Sequence, residues 1–453
     1  MRRVLPSERS RYRAAVTAPL KAVVKRGLRA AHPVLSRLVH HVVRPLLPRI
    51  ARLPGRRHKG SRTRVTILIF NAYGMGGTIR TAFNLAHYLS EQYDVEVVTV
   101  KRRKREPFFP FPPGVKVTAL DDTVNRGLVK GLARLLLGPF PSSLVNVEDW
   151  RYPDFSVWTD LMIMNRMRGL TGVLITTRPG LNIIAARHAP PGVRTIGQEH
   201  MNLPSHRPQL RAGIQEAYPH LDVLAVLTAS DQRDYAELFP AGLPPVVRMP
   251  NAVPAVLGGQ ADLSAKTVVA AGRLARQKGF DRLISAWEPV AQAHPDWTLE
   301  IYGDGKEGER LAQQIEDLEL AKSVRLMGRS DRLGHAFAQS SIFALSSRRE
   351  GLPMVILEAM SKGLPVVSFD CPTGPAEIVV NEHNGVLVPD GDIPGLSKAL
   401  LDVIEDDAHR ARLGQGALET AARYDIEVIG RDWAELVEGL LNRPSTAQSD
   451  SGK

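Results

Sequence analysis

The stretch Ser346–Glu377, SSRREGLPMVILEAMSKGLPVVSFDCPTGPAE, decides how the rest of the chain is read. Ahead of it, the apolar run Ile342–Leu345 predicts a short strand. Glu350-Gly351-Leu352 then turns, and Pro353 stands where a first helical residue would, a position that needs no N–H. Val355, Ile356, Ala359 and Met360 recur at helical spacing, and Gly363 suits the left-handed residue that closes a helix. A helix opening straight after a glycine turn offers an anion the unpaired N–H groups around Leu352, Pro353 and Met354 and the positive end of its dipole. Two carboxylates bracket the unit, Glu350 in the loop and Glu358 eight positions later. Because a loop intervenes, this is no i,i+4 pair. Either one acid stands beside a reacting group and the other beside a hydroxyl-rich moiety, or both bracket an ordinary amphipathic helix.

Two glycine-bearing loops stand upstream. Thr267–Ala271 (TVVAA) predicts a buried strand, and Phe280, Leu283, Ile284, Trp287 and Val290 predict a helix packed on it. Between them runs Gly272-Arg273-Leu274-Ala275-Arg276-Gln277-Lys278-Gly279. Arg273, a bidentate fork, and Lys278, a point charge, are placed there to clamp a diphosphate. Nearer the N-terminus, the strand Val65–Phe70 is followed by Asn71-Ala72-Tyr73-Gly74-Met75-Gly76-Gly77-Thr78 and a helix from Arg80 to Leu89. No Lys-Ser/Thr ends this loop, so it is not a phosphate-binding Walker loop; Ile79 stands where the dinucleotide fingerprint needs a third glycine. A strained turn that only packs is the other reading of its glycines. Gly303-Asp304-Gly305-Lys306-Glu307-Gly308 matches the dinucleotide expression formally, without an evident ribose-binding acid. The strand Arg194–Gln198 delivers Glu199 and His200 at its C-terminal end, the end where doubly wound sheets bind ligands; a lone histidine also serves structure.

Glu350-x7-Glu358, with GLPMVIL between and EAMSKGLPVV from Glu358 onward, together with Gly-Arg-Leu…Lys-Gly about seventy residues earlier, resembles the retaining GT-B glycosyltransferases of family 4. The resemblance extends over most of residues 64–440. It implies an α/β protein of two Rossmann-like, doubly wound domains facing across a cleft, with a C-terminal helix crossing back to the first. It also implies a nucleotide-diphosphate sugar, a UDP-sugar, as co-substrate and no metal or other cofactor. By the same resemblance Arg273 and Lys278 meet the diphosphate, Glu350 the sugar, Glu358 the ribose, and His200 the donor sugar. Gly76 and Gly77 would lie near the diphosphate or the acceptor, and Gly328-Arg329 near the base. The Gly-Met-Gly-Gly-Thr loop and Gln-Glu-His stretch are similar to enzymes that glycosylate polyol-phosphate polymers of teichoic-acid type. The expected acceptor is a hydroxyl of a cell-envelope glycan, such a polymer or a lipid-linked precursor. A small-molecule acceptor and a non-catalytic sugar-nucleotide sensor remain the alternatives. The phosphorylase type of the same architecture needs a lysine-bound pyridoxal phosphate, for which no lysine here has a suitable context.

At 453 residues the chain exceeds one ordinary core. The expected division is a basic extension 1–60, domains 61–250 and 251–422, a returning helix 423–441 and a disordered tail 442–453. Residues 1–60 hold sixteen Lys/Arg against Glu8, a balance of +15 in a chain of net +12, which leaves the rest at −3. Val16, Leu20, Val23, Val24 and Leu28 give that extension an amphipathic pattern. It is read either as lying on an anionic membrane surface or as a solvated tail. Nucleic acid is not an expected partner, since no aromatic platform interleaves the basic residues. The run KRRKREPFFPFPPG (101–114) reads as a surface loop. A single cysteine, Cys371, excludes an internal disulfide framework and agrees with a cytoplasmic location, peripheral to the inner membrane face if the extension binds it.

Overall fold

Strands buried on both faces must be apolar along their whole length, and that is what the continuous runs of this chain provide. The computed structural model describes residues 37–55, 60–125, 127–239 and 242–443. The first sheet has, in spatial order, β3 (Lys116–Asp122), β2 (Asp94–Arg102), β1 (Arg64–Ile69), β4 (Val173–Thr176), β5 (Arg194–Gln198), β6 (Val223–Val226) and β7 (Val246–Arg248). The second has β10 (Val324–Gly328), β9 (Thr298–Tyr302), β8 (Thr267–Ala271), β11 (Ile342–Leu345), β12 (Val366–Asp370) and β13 (Gly385–Pro389). Every pairing is parallel. The order reverses between β1 and β4 and again between β8 and β11, so the loops leaving β1 and β8 open onto the crevices where such sheets bind ligands.

Helices cover both sheets with the predicted faces. Phe280–Ala293 buries Phe280, Leu283, Ile284, Trp287 and Val290 against the second sheet. The last helix, Ile426–Asn442, leaves the second domain and buries Ile429, Trp433, Val437 and Leu440 in a cluster with Val65, Phe83 and Val97 of the first. The Val253 N–H donates to the Tyr424 carbonyl at 2.7 Å, tying the two crossing strands of chain together.

Several elements lie outside the sequence reading. The edge strand β3 alternates polar and apolar residues and was overshadowed by the basic run before it. The helix Asp407–Arg423 escapes its period because Arg410 sits on the buried face, its guanidinium donating to the carbonyls of Leu263, Val403 and Ile404. The run 101–114 is only partly a surface loop. Lys101 is buried within β2, and Phe111 packs edge-on against Tyr73 (5.3 Å) and Phe83 (5.8 Å). Nor are residues 37–53 a free extension. A π-helical turn, Val39–Val43, runs into the helix Arg44–Arg52, and Val39, Leu47 and Ala51 are buried against the first domain. The remainder of the 1–60 reading, residues 1–36 and 56–59, and the tail beyond Arg443 lie outside the described residues. Among the described residues no helix is long and apolar enough to cross a membrane.

Candidate active site

The second-domain wall of the cleft is made of strand-end loops locked onto one another. Gly279, at φ +65°, lies so close to the end of β11 that a Cβ would sit 2.0 Å from the Ser346 carbonyl oxygen. That approach brings the loop after β8 against the loop after β11. Lys278 lays its methylenes over Gly272 and places Nζ 2.6 Å from Glu350 Oε1. Ser347 Oγ donates to the same oxygen at 2.5 Å, and the Glu350 side chain is almost wholly buried. Thr373 Oγ1 donates to the Glu350 carbonyl at 2.6 Å. Gly374, at φ +96°, holds the next loop on the Gly351 carbonyl, 1.9 Å from where a Cβ would be. Leu352 is buried, and the helix begins at Met354 rather than at Pro353. Pro353 is the capping residue, its carbonyl accepting from the Ile356 N–H at 2.9 Å. Arg273 stands exposed at the exit of β8 with no ion-pair partner among the described residues.

The first-domain wall is looser. The helix after β1 begins at Gly77, three residues ahead of the expected start, and Cβ atoms at Gly76 or Gly77 would meet nothing within 4 Å. Arg80, in the first turn of that helix, crosses the cleft: its guanidinium stands 3.1 Å from Glu358 Oε1 and 3.0 Å from the Ala255 carbonyl. Burial pushes the Glu358 carboxyl up, and the Arg80 charge opposes that shift. The sequence reading passed over Arg80. Its signal was a cation where the helix dipole disfavours one, a position that calls for an outside partner.

His200 follows β5 and meets the Glu350 loop across the cleft, its carbonyl 3.5 Å from where a Gly351 Cβ would sit. Its Nε2 is sealed from solvent without a hydrogen-bond partner, and burial pulls its pKa down to about 4, so the ring is neutral at physiological pH. Behind it, Glu199 is buried, bonded to the Tyr218 hydroxyl and to Asn182 Nδ2 (2.9 Å), with His206 Nε2 at 3.6 Å. At the other end of the second sheet Gly328 is in open space, and Arg329 turns its guanidinium to Met75 Sδ (3.2 Å) and over the Phe108 ring (4.9 Å).

Three of the crossings mark the order along the cleft. Arg329 meets Met75 at one end, Glu350-Gly351 meets His200 in the middle, and the Ser230 N–H donates to Glu377 Oε1 (3.1 Å) at the far end. There a cavity of about 540 Å³ opens between Ser230 and Arg233 on one side and Asp370, Thr373 and Asp390 on the other. Thus the structure pairs Glu350 with Lys278, brings the His200 backbone against the Glu350-Gly351 loop and sets Arg273 at the exit of the adjacent strand, while Glu358 is taken up by Arg80. Among the described residues no three His, Cys, Asp or Glu side chains converge as a metal-ligand set. A buried carboxylate–ammonium pair with an exposed guanidinium at the next strand end can bind a polyhydroxylated ligand and stabilise negative charge leaving it.

Residues 259–420 match the family model of the glycosyl transferases group 1. The chain is 34% identical over 395 residues to an exopolysaccharide phosphotransferase of Streptomyces coelicolor, a match covering 84% of this chain and 41% of that protein. It therefore spans about two fifths of the length of that relative. To an uncharacterized glycosyltransferase of Haemophilus influenzae it is 27% identical over 377 residues, 83% of this chain and 99% of the other. Among solved structures, TarM of S. aureus, in complex with fondaparinux, α-GlcNAc-glycerol and UDP, superposes with a TM-score of 0.66 over 84% of this chain and 100% of that chain, at 16% identity. That likeness is one of fold.

Proposed function

We propose, from the GT-B fold and the match of residues 259–420 to the glycosyl transferases group 1 model, that the chain is a retaining glycosyltransferase of the family 4 type. It moves a hexose from a UDP-sugar to a hydroxyl of a cell-envelope glycan, a polyol-phosphate polymer or a lipid-linked acceptor. The observation that carries this reading is the buried Lys278–Glu350 pair, in a loop that meets the His200 backbone across the cleft, with Arg273 exposed one strand away. The bond from C1 to the β-phosphate oxygen breaks, and charge grows on the leaving diphosphate. Arg273 and Lys278 are the cations placed to meet it, without a resident metal. The acceptor oxygen bonds to C1 from the same face, and its proton passes to the leaving phosphate. Glu350 supports the electron-poor sugar ring, and neutral His200 bonds to its hydroxyls. The ribose hydroxyls bond to Glu358, sharing it with Arg80 or displacing that side chain. The backbone at Gly328-Arg329 holds the base, and the acceptor enters past Gly76 and Gly77, where space is open. UDP as donor nucleotide and a polyol-linked acceptor are supported by what TarM was solved with. The single, buried Cys371 supports a cytoplasmic setting.

The name of the Streptomyces relative favours a second reading, transfer of a sugar phosphate, in which the bond between the two phosphates breaks instead. The by-product separates the two. Incubation with UDP-sugars and envelope extract should release UDP with sugar joined to the acceptor; release of UMP with phosphate retained on the product would replace this proposal with the other. Addition of EDTA should leave the rate unchanged.

A further inference from the structure

The helical segment 37–53 has two apolar faces. The inner one, Val39, Leu47 and Ala51 with Val43 and Ile50, packs on the helix Val157–Met167 and on Phe140. The outer one carries Leu38, Val42 and Leu46 at intervals of four, exposed by 49%, 45% and 43%, with Leu53 beyond them. The neighbouring helix Leu128–Leu137, whose Leu137 packs against the same Val39–Phe140–Val157 cluster, exposes Leu132 and Leu135. A folded chain leaves such side chains in water when something else covers them. Charge identifies the cover. Neither 37–53 nor 128–137 contains an acid, and Arg37, Arg49 and Lys130 are exposed around the apolar tips.

We propose that this face is a docking surface for an anionic lipid bilayer, on which Leu38, Val42 and Leu46 enter the acyl boundary while Arg37 and Arg49 bond to headgroup phosphates. A segment fixed by its inner face to the protein cannot span a bilayer, yet it can lie in the interface plane, apolar tips inward and guanidinium groups reaching to the phosphate level. Each arginine near an anionic surface adds to the attraction, which salt screens. A protein partner matching this face would have to supply both an apolar groove and a ring of acids; an anionic membrane supplies both everywhere. The proposal is independent of the chemistry in the cleft and stands or falls without it.

Co-sedimentation of the full chain with vesicles tests it. Vesicles of phosphatidylcholine with roughly one-third phosphatidylglycerol should bind the protein at low salt, and phosphatidylcholine alone should bind it far more weakly. The triple change Leu38→Asp, Val42→Asp, Leu46→Asp should weaken binding to the anionic vesicles at least ~10-fold. Since these side chains are solvent-exposed, its melting temperature should match the parent. If that variant melts early, Arg37→Glu with Arg49→Glu gives the same readout without touching an apolar residue. Undiminished binding by both variants would assign any lipid affinity to residues 1–36 and overturn the proposal. Equal binding to neutral vesicles, or self-association of the parent in place of vesicle binding, would also overturn it.

Discussion

The two walls of the cleft are built differently. The second-domain wall is stitched backbone to backbone. Gly279 lies on the Ser346 carbonyl, Gly374 on that of Gly351, and the Lys278–Glu350 pair is buried between these loops. The first-domain wall leaves Gly76 and Gly77 in open space, Met75 59% exposed and His200 Nε2 unpartnered. A wall fixed before any ligand arrives loses little freedom on binding and suits the group common to every turnover. A wall with slack suits the partner that must enter and leave. On this account the donor side is preorganised and the acceptor side is not.

Glycine substitutions break that contrast most sharply. Gly279→Ala forces a left-handed residue and a methyl group onto a carbonyl oxygen, and should cost ~2–4 kcal/mol in denaturant unfolding. Gly76→Ala, in extended backbone with nothing within 4 Å, should stay within ~0.5 kcal/mol of the parent and raise KM for the acceptor alone. Equal losses at the two sites would erase the distinction.

Next in size is the buried ion pair. Lys278→Met leaves the Glu350 carboxylate buried without its cation, and should lower kcat ~100-fold or more. Glu350→Gln should do about the same, and the double variant no worse than either, because the two act as one unit. Independent, multiplying losses measured in single-turnover transfer would contradict the pairing.

The effect confined to a pH window belongs to His200. Its folded pKa of about 4 lies below the ordinary 6.5, so the unfolded chain takes up the proton first. The associated stability is complete above pH 6.5 and is lost as pH falls towards 4, by at most about 3 kcal/mol. In His200→Gln that part of the pH dependence should vanish; an unchanged slope of unfolding free energy between pH 7 and 4 would show that the ring is not held neutral.

How much of this was legible in the sequence followed local pattern. Strands β8 and β11 are short apolar runs followed by turns, and they, like β5, lie where the sequence puts them. The Arg273 and Lys278 loop was legible because charge, glycine and strand end coincide within eight residues. What stayed hidden depends on pairings distant in sequence. Arg80 finds Glu358 across 278 positions, and Arg410 is buried among carbonyls that no periodicity announces. The embedded half of segment 37–53 was hidden too, because arginines and prolines mask the small face that Val39, Leu47 and Ala51 turn inward.

The central claim is that the second domain holds a nucleoside diphosphate through Arg273 and Lys278. A thermal-shift titration with UDP, GDP, ADP and dTDP in the presence of EDTA, on the parent, Arg273→Ala and Gly76→Ala proteins, tests it directly. The account predicts that UDP raises the melting temperature of the parent and of Gly76→Ala alike, and that the shift is largely lost in Arg273→Ala. No shift with any nucleotide, or a full shift in Arg273→Ala, would contradict it.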